Sequence, residues 1–86
     1  MPRISQFFGI VIYMYYNDHQ PPHFHAEYGE HEVIFEIDTL AVMRGGLPRR
    51  AQAMVVEWAL QHRAELRQDW LLARQQQTLS PIEPLD

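Results

Sequence analysis

The strongest constraint on the fold of this chain is a pair of alternating segments joined by two residues. Apolar and polar side chains alternate over residues 23–28 and again over residues 31–38, and Gly29-Glu30 separates the two segments. Such alternation is typical of a strand with one covered face, and a two-residue connection that begins with Gly favours a type II′ turn. The sequence therefore predicts an antiparallel hairpin.

The predicted register sorts the side chains of this hairpin onto two faces. One face is apolar and belongs to the core, with the pairs Tyr28 and His31, Ala26 and Val33, and Phe24 and Phe35. The other face is polar and collects His23, His25, Glu27, Glu32 and Glu36. Because side chains alternate with a period of two, a shift of one residue would mix the two sets. The pattern itself therefore argues for this register.

The segments on either side of the hairpin complete a small sheet. Residues 7–16 are β-branched and aromatic at odd and even positions, which predicts one strand covered on both faces, after a lead-in over residues 1–6. Residues 17–22 contain Pro21-Pro22 and form a loop. Residues 40–44 are a candidate fourth strand that ends at Gly45-Gly46.

The second half of the chain predicts helix. Neither Gly nor Pro occurs between Arg49 and Gln76, apolar residues recur at helical spacing, and Pro48 suits a first turn. An uncapped pattern of this length predicts two helices, or one helix that bends near residues 62–64. Pro81 and Pro84 predict an extended tail over residues 78–86.

These elements predict one domain of the α+β class over residues 1–86. A three- to four-stranded antiparallel sheet with the His-rich hairpin occupies residues 1–46, a C-terminal helical layer occupies residues 47–77, and the tail follows. A domain of this size buries a modest core, so we expect a protein partner or a homodimer.

Composition restricts the classes of function. The formal net charge is −4 and the 7 basic residues are all Arg, so binding to nucleic acid is possible but not favoured. The chain has no Cys, which excludes disulfides, thiolate catalysis and Cys-type zinc sites. No apolar run is long enough for a membrane span or a signal peptide, so we expect a cytoplasmic protein with no membrane partner.

The hairpin's polar face is a candidate metal site. His23 and His25 lie two residues apart on one strand face. A ligand set could be completed by His19 or Asp18 from the loop and by Glu27, Glu32 or Glu36 from the sheet, of which His19 and Glu36 are the leading candidates. Imidazole and carboxylate ligands without a thiolate suit a divalent transition metal such as Zn, Ni or Mn. The competing interpretation is a polar sheet face on which histidines and glutamates pair across strands.

Two further interpretations use the same region or the aromatic residues. His19, His23 and His25, with Asp18, are candidate catalytic residues that could cleave a phosphodiester as general acid and base. Alternatively, aromatic side chains could anchor a protein interface, although those at helical spacing more often pack into the core. These aromatic residues are Tyr13, Tyr15, Tyr16, Trp58 and Trp70.

The string Asp18-His19-x-Pro21-Pro22-His23-Phe24-His25-Ala26 is uncommon, and with it the chain resembles the family called domain of unknown function 4160. Further matching segments are MPRIS at residues 1–5, Gly9-Ile10, Met14-Tyr15, Tyr28-Gly29-Glu30, Leu47-Pro48, Arg50-Ala51, Glu57-Trp58, His62, Glu65-Leu66, Trp70 and the closing Ile82-Glu83-Pro84-Leu85. The chain departs from the family pattern near Leu40, where a small residue or Gly is expected.

The resemblance implies a small bacterial cytoplasmic protein with no established activity, of a kind for which a toxin–antitoxin style pairing has been suggested. Our leading hypothesis is a binding or accessory module, one half of such a pair, that uses the His-rich hairpin face. The alternative is a small metal-dependent or His-based phosphodiester hydrolase.

Overall fold

The computed structural model describes residues 2–86 and contains five strands followed by two helices. The elements are β1 (Arg3–Phe7), β2 (Ile10–Tyr13), β3 (His23–Tyr28), β4 (His31–Glu36), β5 (Val42–Gly45), α1 (Arg49–Gln61) and α2 (Arg63–Arg74). The strands form one antiparallel sheet in chain order, β1-β2-β3-β4-β5. The α+β architecture is confirmed, whereas the predicted number of three to four strands is wrong.

The additional strand comes from a hairpin within the segment that the sequence analysis assigned to one strand. Phe8 and Gly9 both have positive φ angles, 49° and 80°, and Phe7 pairs with Ile10 across this turn. The predicted lead-in is therefore largely β1, and Met1 lies outside the described residues. Phe is rare in turns that require positive φ, so nothing in the sequence indicates a turn at this position.

The register predicted for the second hairpin is confirmed at all of its pairs, from His23 with Glu36 to Tyr28 with His31. Gly29 has a φ of 60°, as the first residue of a type II′ turn requires. Most of the apolar face of this hairpin lies in the core, where Phe24, Ala26, Val33 and Phe35 are buried. The prediction is wrong for the pair nearest the turn, since Tyr28 and His31 are exposed.

The turn before β5 has an unusual residue at its tightest point. Leu40 has a φ of 59°, a conformation that costs a side-chain-bearing residue about 1 kcal/mol or more. This is the position near which the family resemblance predicts a small residue or Gly. The Leu40 side chain packs against the core, and that burial offsets the backbone cost.

The helical layer divides at His62, as one of the two predicted arrangements requires. Trp58 of α1 is fully buried, with its ring centroid 5.5 Å from that of Phe7 and 6.1 Å from that of Phe24. Its Nε1–H donates to the Glu83 carbonyl oxygen at 2.7 Å, which fixes the tail against the helix. No helix within residues 2–86 is long and apolar enough to cross a membrane.

We predict that Gly45→Ala destabilises the protein far more than Gly29→Ala does. Both glycines have positive φ, which costs Ala about 1–2 kcal/mol, but only at Gly45 would a Cβ overlap the Glu32 carbonyl oxygen. A Cβ at Gly29 meets no atom within 4 Å. Urea unfolding should show the larger loss for Gly45→Ala, and equal losses would contradict the close approach of β5 to β4.

Candidate metal centre

Strand β3 places His23 and His25 side by side in a buried environment. The two rings lie on the same sheet face, and the residues are 2% and 6% exposed. The Trp70 ring of α2 packs on His23 with centroids 5.1 Å apart. The Tyr13 ring stacks on His25 at 5.0 Å, and the Tyr15 ring meets His25 edge-on at 4.9 Å. Aromatic packing therefore restricts the orientation of both imidazoles.

Asp18 reaches these histidines from the loop that joins β2 to β3. The C-terminal end of α2 holds this loop through two hydrogen bonds. The Asn17 N–H donates to the Ala73 carbonyl oxygen at 3.1 Å, and Arg74 Nη1 donates to the Asp18 carbonyl oxygen at 3.1 Å. The helical layer thus positions a carboxylate over a histidine pair that belongs to the sheet.

Three of the candidate site residues converge at this point. Asp18, His23 and His25 each offer one ligand atom, and these atoms all lie within 4.8 Å of one another. The His23 Nε2 and His25 Nε2 atoms lie 2.9 Å and 3.5 Å from Asp18 Oδ2.

The two leading candidates for completing the ligand set stand apart from this group. The His19 side chain is 81% exposed at the rim, with its Nε2 3.7 Å from Asp18 Oδ1. Glu36 lies opposite His23 in the sheet register and contributes no atom to the cluster formed within residues 2–86.

The hydrogen bonds of His23 leave its Nε2 atom facing a negative charge. Its Nδ1 lies 2.7 Å from the Pro21 carbonyl oxygen, which only accepts, so Nδ1 must carry a proton and donate it. A neutral His23 would then direct the lone pair of Nε2 at Asp18 Oδ2. Because two acceptors repel each other, a proton or a metal cation must lie between them.

The ionisation states of the other two groups favour ligand binding. Burial alone would raise the pKa of Asp18, but the His19 N–H and the contact with His23 outweigh burial and lower this pKa below its usual value. Burial lowers the pKa of His25 below its usual value of 6.5, although Asp18 partly counteracts this effect. Near neutral pH the site therefore offers a carboxylate and a neutral imidazole, the forms that bind metals.

Glu32 and Tyr13 lie on the far side of His25. The His25 Nδ1 atom has no hydrogen-bond partner within the described residues, and the nearest carboxylate oxygen, Glu32 Oε2, is 3.9 Å away. The Tyr13 hydroxyl donates to that same oxygen, and its pKa is raised by burial and by Glu32. A carboxylate near Nδ1 is the usual partner of a histidine that binds a metal through Nε2.

Two of the three separations between ligand atoms are close to those around a metal ion. Ligands about 2.0–2.1 Å from a zinc ion, at angles between 90° and tetrahedral, lie about 2.9 to 3.4 Å apart. The two nitrogen–oxygen distances of 2.9 Å and 3.5 Å are close to this range. The cluster can therefore hold one cation after small side-chain adjustments.

An open cleft of about 560 Å³ lies over the cluster. Its wall includes Arg44 of β5 and the apolar side chains Ile34 and Met43. Arg44 could not be predicted as a site residue, because β5 is short and carries no alternation that fixes its register. Tyr13 was considered only as a possible interface residue, since the register between β2 and β3, across the loop that joins them, was not predicted.

The sequence profile of the domain of unknown function DUF4160 matches residues 9–71, a range that includes every residue of the cluster. The chain belongs to the DUF4160 family. This confirms the resemblance inferred from the Pro-Pro-His-Phe-His string. Neither a curated protein nor a solved structure matches the chain.

We predict that Asp18→Asn lowers the pKa of His25 further below 6.5. The Asp18 carboxylate raises this pKa through its hydrogen bond and its charge, and Asn removes that charge. An NMR titration of the imidazole signals in metal-free protein measures the change. Asp38→Asn is the matched control because Asp38 pairs with Arg67 on the helical side. A higher or unchanged pKa for His25 in Asp18→Asn would contradict the contact.

Proposed function

We propose that this DUF4160 protein is a binding module whose cleft holds one divalent transition metal on Asp18, His23 and His25. The observation that carries the proposal is the Nε2 atom of His23, which faces the Asp18 carboxylate while its Nδ1 atom is committed to Pro21. A metal ion between them satisfies both acceptors and uses the neutral His25 as a further ligand.

Two nitrogen ligands and one oxygen ligand define the class of metal. This set suits Zn, Ni or Mn, and the absence of thiolate ligands disfavours copper(I) and iron–sulfur clusters. Three protein ligands leave at least one coordination position free, which is typical of metal sites that bind or activate a further ligand. The position of the cluster beneath an open cleft supports this form of site.

Metal binding is tested with tag-free protein that has been stripped by a chelator. Calorimetric titration with Zn(II), Ni(II) and Mn(II) should show one site, and saturation should raise the melting temperature because the metal binds only the folded state. We expect Asp18→Asn and His25→Gln each to weaken binding at least about tenfold, since loss of a residue that only orients a ligand already costs about 10–100-fold.

His31→Gln is the matched control for these variants. His31 lies at the exposed end of the same hairpin and outside the cluster, so its loss should leave metal affinity unchanged. If wild type, Asp18→Asn and His31→Gln bind the metal with equal affinity, the proposal is wrong. Wild-type protein that binds none of the three metals would instead support an imidazolium–carboxylate ion pair at His23.

Hydrolysis of a phosphodiester is the second candidate function. It is favoured by His19, which lies at the rim of the cleft where it could act as a general acid or base toward a metal-bound ligand. Turnover of an activated phosphodiester such as bis(p-nitrophenyl) phosphate by the metal-loaded protein, abolished in Asp18→Asn, would favour the hydrolase over the binding module.

A protein partner, including one in a toxin–antitoxin-like pair, is part of the proposal. It is supported by the edge strand β5, whose Val42 and Met43 are 44% and 39% exposed beside the cleft. An edge strand can pair with a strand of another chain. Recovery of the same partner by wild type and not by a variant with Val42 and Met43 replaced by Thr would support this interface.

A further inference from the structure

The sheet register aligns Arg44 with the candidate metal cluster. His25 of β3 pairs with Ile34 of β4, and Ile34 pairs with Arg44 of β5. Directly paired residues project from the same sheet face, so Arg44 stands two strands away from His25, about 10 Å between Cα atoms. An Arg side chain can cover most of that distance, and Arg44 does line the cleft.

Arg44 forms no ion pair with any group in residues 2–86, so no carboxylate there neutralises its charge. Glu32 lines the same cleft and would be its natural partner, but Glu32 Oε2 accepts from the Tyr13 hydroxyl and faces His25. A guanidinium therefore faces an open cleft with its donors available to a ligand.

We propose that the cleft binds a small organic oxyanion, a carboxylate or a phosphate, whose acid group bridges the metal and Arg44. This inference rests on the proposed metal site and identifies the class of ligand that completes it. One oxygen of the acid group takes the free coordination position of the metal. Another accepts from the guanidinium, whose planar fork matches both carboxylate and phosphate.

The remaining wall of the cleft indicates that the ligand also has an apolar part. Tyr15, Ile34 and Met43 contribute apolar surface between the cluster and the solvent. A volume of about 560 Å³ lies within the range of about 300–1,000 Å³ that small-molecule sites occupy. A bare inorganic anion would leave this surface uncovered, so an aromatic or aliphatic acid should bind more tightly.

The test uses full-length protein loaded with Co(II), whose visible absorption reports the ligands of the metal. Phenyl phosphate and benzoate are the two acid probes. Inorganic phosphate, which lacks an apolar part, tests whether the ligand needs one, and benzyl alcohol, which lacks an acid group, tests whether that group is required. We expect at least one acid probe to shift the spectrum with saturation, more tightly than inorganic phosphate, whereas benzyl alcohol leaves it unchanged. The tighter of the two acid probes identifies the phosphate or the carboxylate as the preferred group.

Arg44→Gln should weaken binding of the tighter probe at least about tenfold, or 1.4 kcal/mol, whereas the variant still binds Co(II) without the probe. Arg44→Lys should lose part of the affinity because it keeps the charge without the fork. Arg50→Gln is the matched control, since Arg50 is exposed on α1 away from the cleft. Thermal melting of each variant verifies its fold.

The outcomes separate this inference from the metal site on which it rests. If Co(II) binds but neither acid shifts its spectrum, or if Arg44→Gln binds the probe as wild type does, the oxyanion inference is wrong and the metal site stands. An alcohol or inorganic phosphate that binds as tightly as the organic acids also overturns it. If neither Co(II) nor any of Zn(II), Ni(II) and Mn(II) binds, both proposals are wrong.

Discussion

The rest of the site depends on one constraint, the close approach of two hydrogen-bond acceptors, the Asp18 carboxylate and the Nε2 atom of His23. The Asp18 carboxylate and the Nε2 atom of His23 lie 2.9 Å apart, with His23 itself almost fully buried. Without a proton or a cation between them, this arrangement would cost several kcal/mol in a poorly solvated environment. The loop keeps the carboxylate in place because Arg74 binds its backbone from α2. The tertiary fold thus maintains a site that requires positive charge.

The part of the site that lies within one hairpin could be predicted from the sequence. Alternation fixed the register of β3 and β4, and that register alone places His23 and His25 on one face opposite Ile34 and Glu36. The local sequence was sufficient to predict this register, because a two-residue turn that begins with Gly allows only a few hairpin geometries. The helical layer could be predicted equally well, because apolar residues recur at helical spacing on both sides of His62.

The parts that the sequence did not predict depend on contacts between distant segments. The turn at Phe8-Gly9 lacks the usual turn composition, so β1 was missed. The pairing of Tyr13 with His25 was missed because the long loop between β2 and β3 carries no signal that fixes their register. Which candidate joins His23 and His25 in the cluster depends on how α2 holds the loop that carries Asp18, and residue spacing along the chain does not encode that contact. His19 and Glu36 were as plausible as Asp18 by spacing, but they lie outside the cluster.

The charges around the cleft make its two proposed ligands interdependent. Without a metal, the proton between Asp18 and His23 and the guanidinium of Arg44 only balance the carboxylates of Asp18 and Glu32, so the cleft does not attract anions. A divalent cation on the cluster shifts that balance toward positive charge, so an oxyanion gains both a coordination bond and an attractive field. Coupling between two binding sites is reciprocal. If the metal raises the affinity for the oxyanion, the oxyanion must raise the affinity for the metal by the same factor. The proposed metal and the proposed organic acid would therefore each bind more firmly when the other is present.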